Sequence, residues 1–103
     1  MTRSTRKQDK TTAYVEDNVL HLNNGDTIEV GSPEWFAWLD RRQIFYFDSE
    51  YGRLHARAEE RFGRWYWYAY RYRDGKLRKQ YLGKSEAVNL LVLNRTSRRL
   101  AIA

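Results

Sequence analysis

The stretch RWYWYAYRYRDGKLRKQYLG, Arg64 to Gly83, constrains the fold more than any other part of the chain. From Arg64 to Tyr72 it holds only aromatic residues, alanine and arginine, a mix that favours an extended pleated chain and has no helical period. Asp74-Gly75 supplies a turn in which Gly75 is free to take positive φ, and Lys76 to Leu82 forms the returning strand of a β-hairpin. Side chains alternate along a strand, so Trp65, Trp67 and Ala69 share one side while Tyr66, Tyr68, Tyr70 and Tyr72 share the other. The tryptophan side reads as core: indole rings bring large apolar area, and an alanine between them lets a packed helix come close. The tyrosine side reads as a contact surface, because flat rings, hydroxyl donors and flanking cations match sugars, bases and phosphates. A purely structural reading buries every ring in the core of a small β domain.

A chain of 103 residues makes one domain with a modest core. It has no cysteine, hence no disulfide and no cysteine zinc site, which suits a reducing compartment. No apolar run approaches the roughly 20 residues of a membrane span. The start, MTRSTRKQDK, lacks the apolar segment of a secretion signal. The expectation is a cytoplasmic protein with no membrane partner.

The net charge of +6 is unevenly spread. Residues 1 to 10 carry net +3, residues 11 to 52 net −6, and residues 53 to 103 net +9. That polarity is what a polyanion-binding face opposite an acidic supporting face would produce, although chance sorting of a solubilising surface gives asymmetry too.

Taken in order, residues 1–12 read as a disordered basic arm, residues 13–94 as the single domain, and residues 95–103 as a basic tail or helix extension. Val19 to Leu22 and Thr27 to Val30 are short strands around Asn23-Asn24-Gly25-Asp26. An odd loop, three residues with a bulge, would pair Leu22 with Ile28 and Leu20 with Val30 and so keep the apolar residues on one face. Asn23, Asn24 and Asp26 lack the terminal glutamate of a calcium loop. Ser32-Pro33-Glu34 opens a short helix to about Arg41, with Trp35, Phe36, Trp38 and Leu39 as its apolar stripe. Gln43 to Asp48 and Arg53 to Phe62 alternate as strands. The second puts Arg53, His55, Arg57, Glu59 and Arg61 on one face and reaches the tyrosine strand through the tight Phe62-Gly63 corner. Glu59 and Glu60 read as groups that orient arginines or reject wrong partners, and as plain ion pairs contribute under about 1 kcal/mol each. Ser85-Glu86 caps a last helix carrying Ala87, Val88, Leu90, Leu91 and Leu93 across the back of the sheet over Trp65, Trp67 and Ala69. The expected fold class is α+β: an antiparallel three- to four-stranded sheet with a packed C-terminal helix, preceded by a small hairpin and a short helix.

Three antiparallel strands followed by a helix, with the text GRWYWYAYRYRDGKLRKQYLGKSEA, resemble the amino-terminal arm-type DNA-binding domain of phage and transposon integrases of the tyrosine recombinase family. The same region is similar to the plant AP2/ERF domain, whose strand-opening glycine, basic residue and aromatic correspond to Gly63-Arg64-Trp65, and whose closing aromatic-Leu-Gly corresponds to Tyr81-Leu82-Gly83. It also resembles small bacterial and phage DNA-binding modules and the front of some large bacterial transcriptional regulators, with GSPEWFAWL at Gly31 to Leu39 like the start of that module. The likeness runs from about Gly31 to Leu91. It implies that the exposed sheet face enters the DNA major groove with contacts from Arg57, Arg64, Tyr66, Tyr68, Tyr70, Lys79 and Tyr81. The remaining cations of the hairpin, Arg71, Arg73, Lys76 and Arg78, complete the expected nucleic-acid-binding set. Arg78 and Gln80 alternate with Lys79 and Tyr81, which leaves open which side of the third strand is exposed.

The expected function is therefore double-stranded DNA binding through the exposed sheet face, as a regulatory or recombination accessory module, with a protein partner or fused domain in longer relatives. Single-stranded DNA or RNA binding by stacking on phenol rings is the nearest alternative. An aromatic-groove protein-interaction module, with a methyl-lysine cage as its sharpest form, is another. No enzyme is expected: His21 and His55 stand alone, without a paired acid and base or a second metal ligand at useful spacing. No cofactor or metal is called for.

Overall fold

The alternation along Arg64 to Gly83 extends across a sheet that reaches well beyond it. The computed structural model describes residues 12–102. The expected basic arm, residues 1–12, lies outside the described residues apart from Thr12. Seven strands form one sheet: β1 Ala13–Glu16, β2 Val19–His21, β3 Thr27–Glu29, β4 Phe45–Ser49, β5 Gly52–Arg61, β6 Arg64–Arg73 and β7 Lys76–Gly83. Their order is β3-β2-β1-β4-β5-β6-β7. Every pairing is antiparallel except β1 with β4, which is parallel.

The fold is α+β with a C-terminal helix, but the sheet is larger than the three to four antiparallel strands expected. β4 to β7 are those four strands, and β1 with the β2–β3 hairpin adds three more. β1 is only four residues long, AYVE, and its pairing with β4 needs a return connection through β2, β3 and a helix. In the β2–β3 hairpin Leu20 pairs with Ile28 across a loop spanning residues 22–26. The expected three-residue loop and its Leu22–Ile28 pairing are thus corrected by two positions. The loop is still odd, so Leu20 and Ile28 share the inward face, as the burial of apolar side chains requires.

Helix α1, Pro33–Leu39, begins where the Ser32 hydroxyl accepts a hydrogen bond from the Trp35 amide at 3.2 Å, with Pro33 in the first turn. It buries Trp35, Trp38 and Leu39 against the sheet. Trp35, Trp38, Phe45 and Trp67 form an aromatic cluster with ring centroids 5.4 to 6.3 Å apart. The indole nitrogens of the two fully buried tryptophans are satisfied: Trp35 Nε1 donates to the Val88 carbonyl at 2.8 Å and Trp67 Nε1 to the Ser85 hydroxyl at 3.0 Å.

Ser85 is therefore engaged by Trp67 rather than capping the last helix. Ser85–Ala87 is a single 3-10 turn, and helix α2 runs Leu90–Ile102 with the Asn89 side chain accepting from the Val92 amide at 2.9 Å. Its inward stripe is Leu93, Thr96, Ser97 and Leu100, all buried, while Leu91 is exposed. Residues 95–102 thus belong to this helix. No helix among the described residues is long and apolar enough to cross a membrane.

Candidate functional site

Both helices lie on the face that carries Trp67 and Ala69, so the opposite face of the sheet is left open. Residues directly paired across antiparallel strands point the same way. Tyr66, Tyr68 and Tyr70 of β6 therefore share the open face with Glu59, Arg57 and His55 of β5. Across the other edge of β6, Tyr68 faces Tyr81, Tyr70 faces Lys79 and Tyr72 faces Leu77. The exposed side of β7 is thus the Lys79 and Tyr81 side. Three strands at about 4.8 Å spacing make a strip roughly 10 Å wide, against a major groove of roughly 12 Å.

One row runs across most of the sheet: His21, Tyr14, Tyr46, His55, Tyr70 and Lys79 occupy successive paired positions on β2, β1, β4, β5, β6 and β7. Tyr14 stacks on His21 with ring centroids 4.8 Å apart, and His55 stacks on Tyr70 at 5.1 Å. Tyr46 meets His55 edge-on at 6.0 Å. Burial first, and the charge of Arg57 second, lower the His55 pKa below its ordinary value, so the imidazole is neutral at pH 7.

The cations gather at the β5–β7 end. Lys79 Nζ lies 4.3 Å from the Tyr68 ring centroid and 5.6 Å from that of Tyr70. Arg57 sits 5.1 Å from the Tyr70 ring and Arg61 5.5 Å from the Tyr68 ring. Glu59 holds this group together. Its carboxylate accepts from Arg61 at 2.7 Å, Lys79 at 3.1 Å, Arg57 at 3.3 Å and the Tyr70 hydroxyl. Burial by itself would raise the Glu59 pKa, but the hydrogen bonds from Lys79, Arg57 and Arg61 and the Lys79 charge outweigh it and leave the carboxyl below its ordinary value. Arg64 is exposed and has no ion-pair partner among the described residues. Arg53 chelates Asp48 at 2.6 and 2.9 Å near the Tyr46 ring.

Of the residues expected to bind nucleic acid, Arg57, Arg64, Tyr66, Tyr68, Tyr70, Lys79 and Tyr81 are brought to one face. Tyr70 is buried there at 5% exposure, so it acts as a support for Glu59 more than as an open contact. Four others lie elsewhere. Arg71 and Arg73 continue the Trp67–Ala69 side of β6, and their partners Arg78 and Lys76 share that side. Arg71 is buried and donates to the Ser97 carbonyl and hydroxyl of α2, while Arg73 donates to the Ala101 carbonyl. Both guanidinium groups tie the helix to the sheet. Trp65 is corrected as well: at 39% exposure it lies outside the core, with Arg42 stacked 4.4 Å from its ring. Arg61, His55 and Tyr46 belong to the open face and were absent from the expected set, although the two-residue spacing of Arg57, Glu59 and Arg61 already signals their common side.

A cleft of about 760 Å³ lies elsewhere, between α2 and the β4–β5 turn, where Phe47, Tyr51 and Leu91 meet Asp48, Arg95 and Arg98. Neither histidine lines it. Among the described residues no three His, Asp or Glu side chains are placed to hold a metal ion. No protein-family model, no curated protein and no solved structure matches this chain.

Proposed function

We propose that this chain binds double-stranded DNA through the open face of β5, β6 and β7, as a regulatory or recombination accessory module. The observation that carries this reading is the convergence of Arg57, Arg61, Arg64 and Lys79 with the hydroxyls of Tyr66, Tyr68 and Tyr81 on the sheet face opposite both helices. Arginine and lysine at that spacing meet phosphates and guanine edges, and tyrosine hydroxyls meet phosphates and sugars. At the far end of the same face Glu16 and Glu29 flank Val19. Those carboxylates repel phosphate and bias the duplex toward the cationic strands.

Duplex binding is favoured over single-strand stacking because the two central phenol rings, Tyr68 and Tyr70, are already engaged. Lys79, Arg57 and Arg61 lie against Tyr68 and Tyr70, leaving those rings poorly placed to receive a base. An aromatic cage for a methylated lysine meets the same obstacle, since Lys79 itself occupies the position between Tyr68 and Tyr70.

The test compares two double variants on random-sequence duplex. Arg57→Ala with Lys79→Ala should weaken binding about tenfold or more at moderate salt. Lys76→Ala with Arg78→Ala removes the same charge from the other side of the sheet and should change affinity far less. Equal losses from both pairs would reduce the interaction to net charge and defeat the assignment of the face.

A further inference from the structure

Three connections in the sheet are two-residue turns of the same kind: Asp17-Asn18, Phe62-Gly63 and Asp74-Gly75. Both central residues have positive φ in each, 54° and 69°, 54° and 78°, and 52° and 78° respectively. This is the turn that matches strand twist, and it favours Asn, Asp or Gly at its first position because short polar side chains tolerate left-handed backbone. Two turns obey that preference and one does not. Phe62 occupies the unfavourable backbone with its side chain fully in solvent, at 101% relative exposure, while Tyr72, next among the exposed large hydrophobics, reaches 73%. Neither packing nor local conformation accounts for a phenylalanine there.

The surroundings indicate what the ring meets. Phe62 tops the β5–β6 hairpin, whose strands are ten residues each, and the paired residues just below it are Arg61 and Arg64. Both arginines belong to the open face and continue the line of cations that includes Arg57. Behind the tip, Trp65 with Arg42 against its ring borders a small hollow that also contains Lys84.

We propose that Phe62 is an apolar wedge that enters a base step of the bound duplex, unstacks it and bends the DNA while Arg61 and Arg64 hold the flanking phosphates. This rests on the duplex-binding reading above and adds to it a deformation of the ligand. Apolar side chains inserted between base pairs kink duplexes in this way, and the two-residue turn fixes the backbone that presents the ring at the hairpin tip. A single phenylalanine offers too little apolar area for stable attachment to a lipid surface, and behind the tip Asp40 and Glu86 offset the charges of Arg42 and Lys84.

The experiment uses short duplexes carrying a fluorescent adenine analogue that brightens when unstacked, with dyes on the ends to report bending. Wild-type protein should brighten the analogue and shorten the end-to-end distance. Phe62→Asn, which suits the turn and should raise thermal stability, should return both signals to those of free DNA. It should still bind within roughly tenfold of wild type, because the cost of unstacking offsets much of what the wedge gains. Tight wild-type binding with unchanged fluorescence and end-to-end distance overturns the wedge and leaves duplex binding standing. Failure of the wild type to bind any duplex overturns the functional reading, and the wedge with it. Binding to phosphatidylserine vesicles that is lost in Phe62→Asn assigns the tip to a membrane and overturns the proposal.

Discussion

Lys79 on β7 and Glu59 on β5 meet across the intervening strand, with Nζ 3.1 Å from the carboxylate. The same carboxylate holds Arg57 and Arg61, so one negative group occupies three of the cations assigned to DNA. Phosphate must compete with it. Glu59→Gln keeps the side chain's size but removes the charge and one of the two acceptor atoms that hold the cations, so duplex affinity should rise about fivefold, the worth of one unit charge at close range in water. Lower affinity in a folded Glu59→Gln protein would mean that the carboxylate positions the cations more than it restrains them.

Arg71 was expected to bind nucleic acid and instead fastens α2 to the sheet, donating to the Ser97 carbonyl at 2.9 Å and hydroxyl at 2.7 Å. Burial chiefly, and Arg73 secondarily, lower its pKa from the ordinary arginine value. Arg71→Met retains much of the side-chain volume but leaves those acceptors unsatisfied, and should cost about 2–4 kcal/mol in urea unfolding. The folded fraction should bind DNA nearly as well as wild type. Unchanged stability with lost binding would return Arg71 to the interface.

The two tryptophans of the same strand side should respond differently. Trp67 is fully buried and hydrogen-bonded to Ser85, and Trp67→Ala should cost about 3–5 kcal/mol. Trp65→Ala removes a half-exposed ring and should cost about 1 kcal/mol or less. Comparable losses in urea melts would show that the end of β6 is packed more tightly than its exposure indicates.

Acidification should weaken the fold in two stages. The folded His55 pKa lies below 6.5, so the unfolded chain takes up a proton first as pH falls through that value, and stability present above it declines until the folded imidazole also protonates. Tyr46, Tyr70 and Arg57 surround the ring, and none of them supplies a negative partner for an imidazolium. The depressed Glu59 carboxyl adds a second loss that starts only as pH falls below about 4.5. Melting temperature should therefore drop as pH is lowered from about 7.5 to about 5.5, and His55→Gln should flatten that part of the curve. An unchanged slope in His55→Gln would remove His55 as its source.

The hairpin, its Asp74-Gly75 turn and the separation of Trp67 and Ala69 from the tyrosines were legible because strand alternation is local and strong. The same alternation places Arg71 and Arg73 beside the tryptophans. Arg71 and Arg73 stand one residue from Tyr70 and Tyr72 along the chain, yet the pleat sends them to the opposite side of the sheet. β1 was not legible, since four residues have too little periodicity and their partner lies on the far side of a helix and two strands. The choice of Asn89 over Ser85 as helix cap depended on Trp67, which claims the serine hydroxyl from 18 residues away. Glu59 was legible as an orienting charge; that three cations and a phenol converge on it follows from three strands lying side by side.

The most direct test of duplex recognition by the open face is the salt dependence of binding to random-sequence duplex DNA. Four cations, Arg57, Arg61, Arg64 and Lys79, should give a log–log slope of about −3 to −4, and Arg57→Ala with Lys79→Ala should reduce its magnitude by about two. A slope near zero, or a slope that the double variant leaves unchanged, would contradict the assignment.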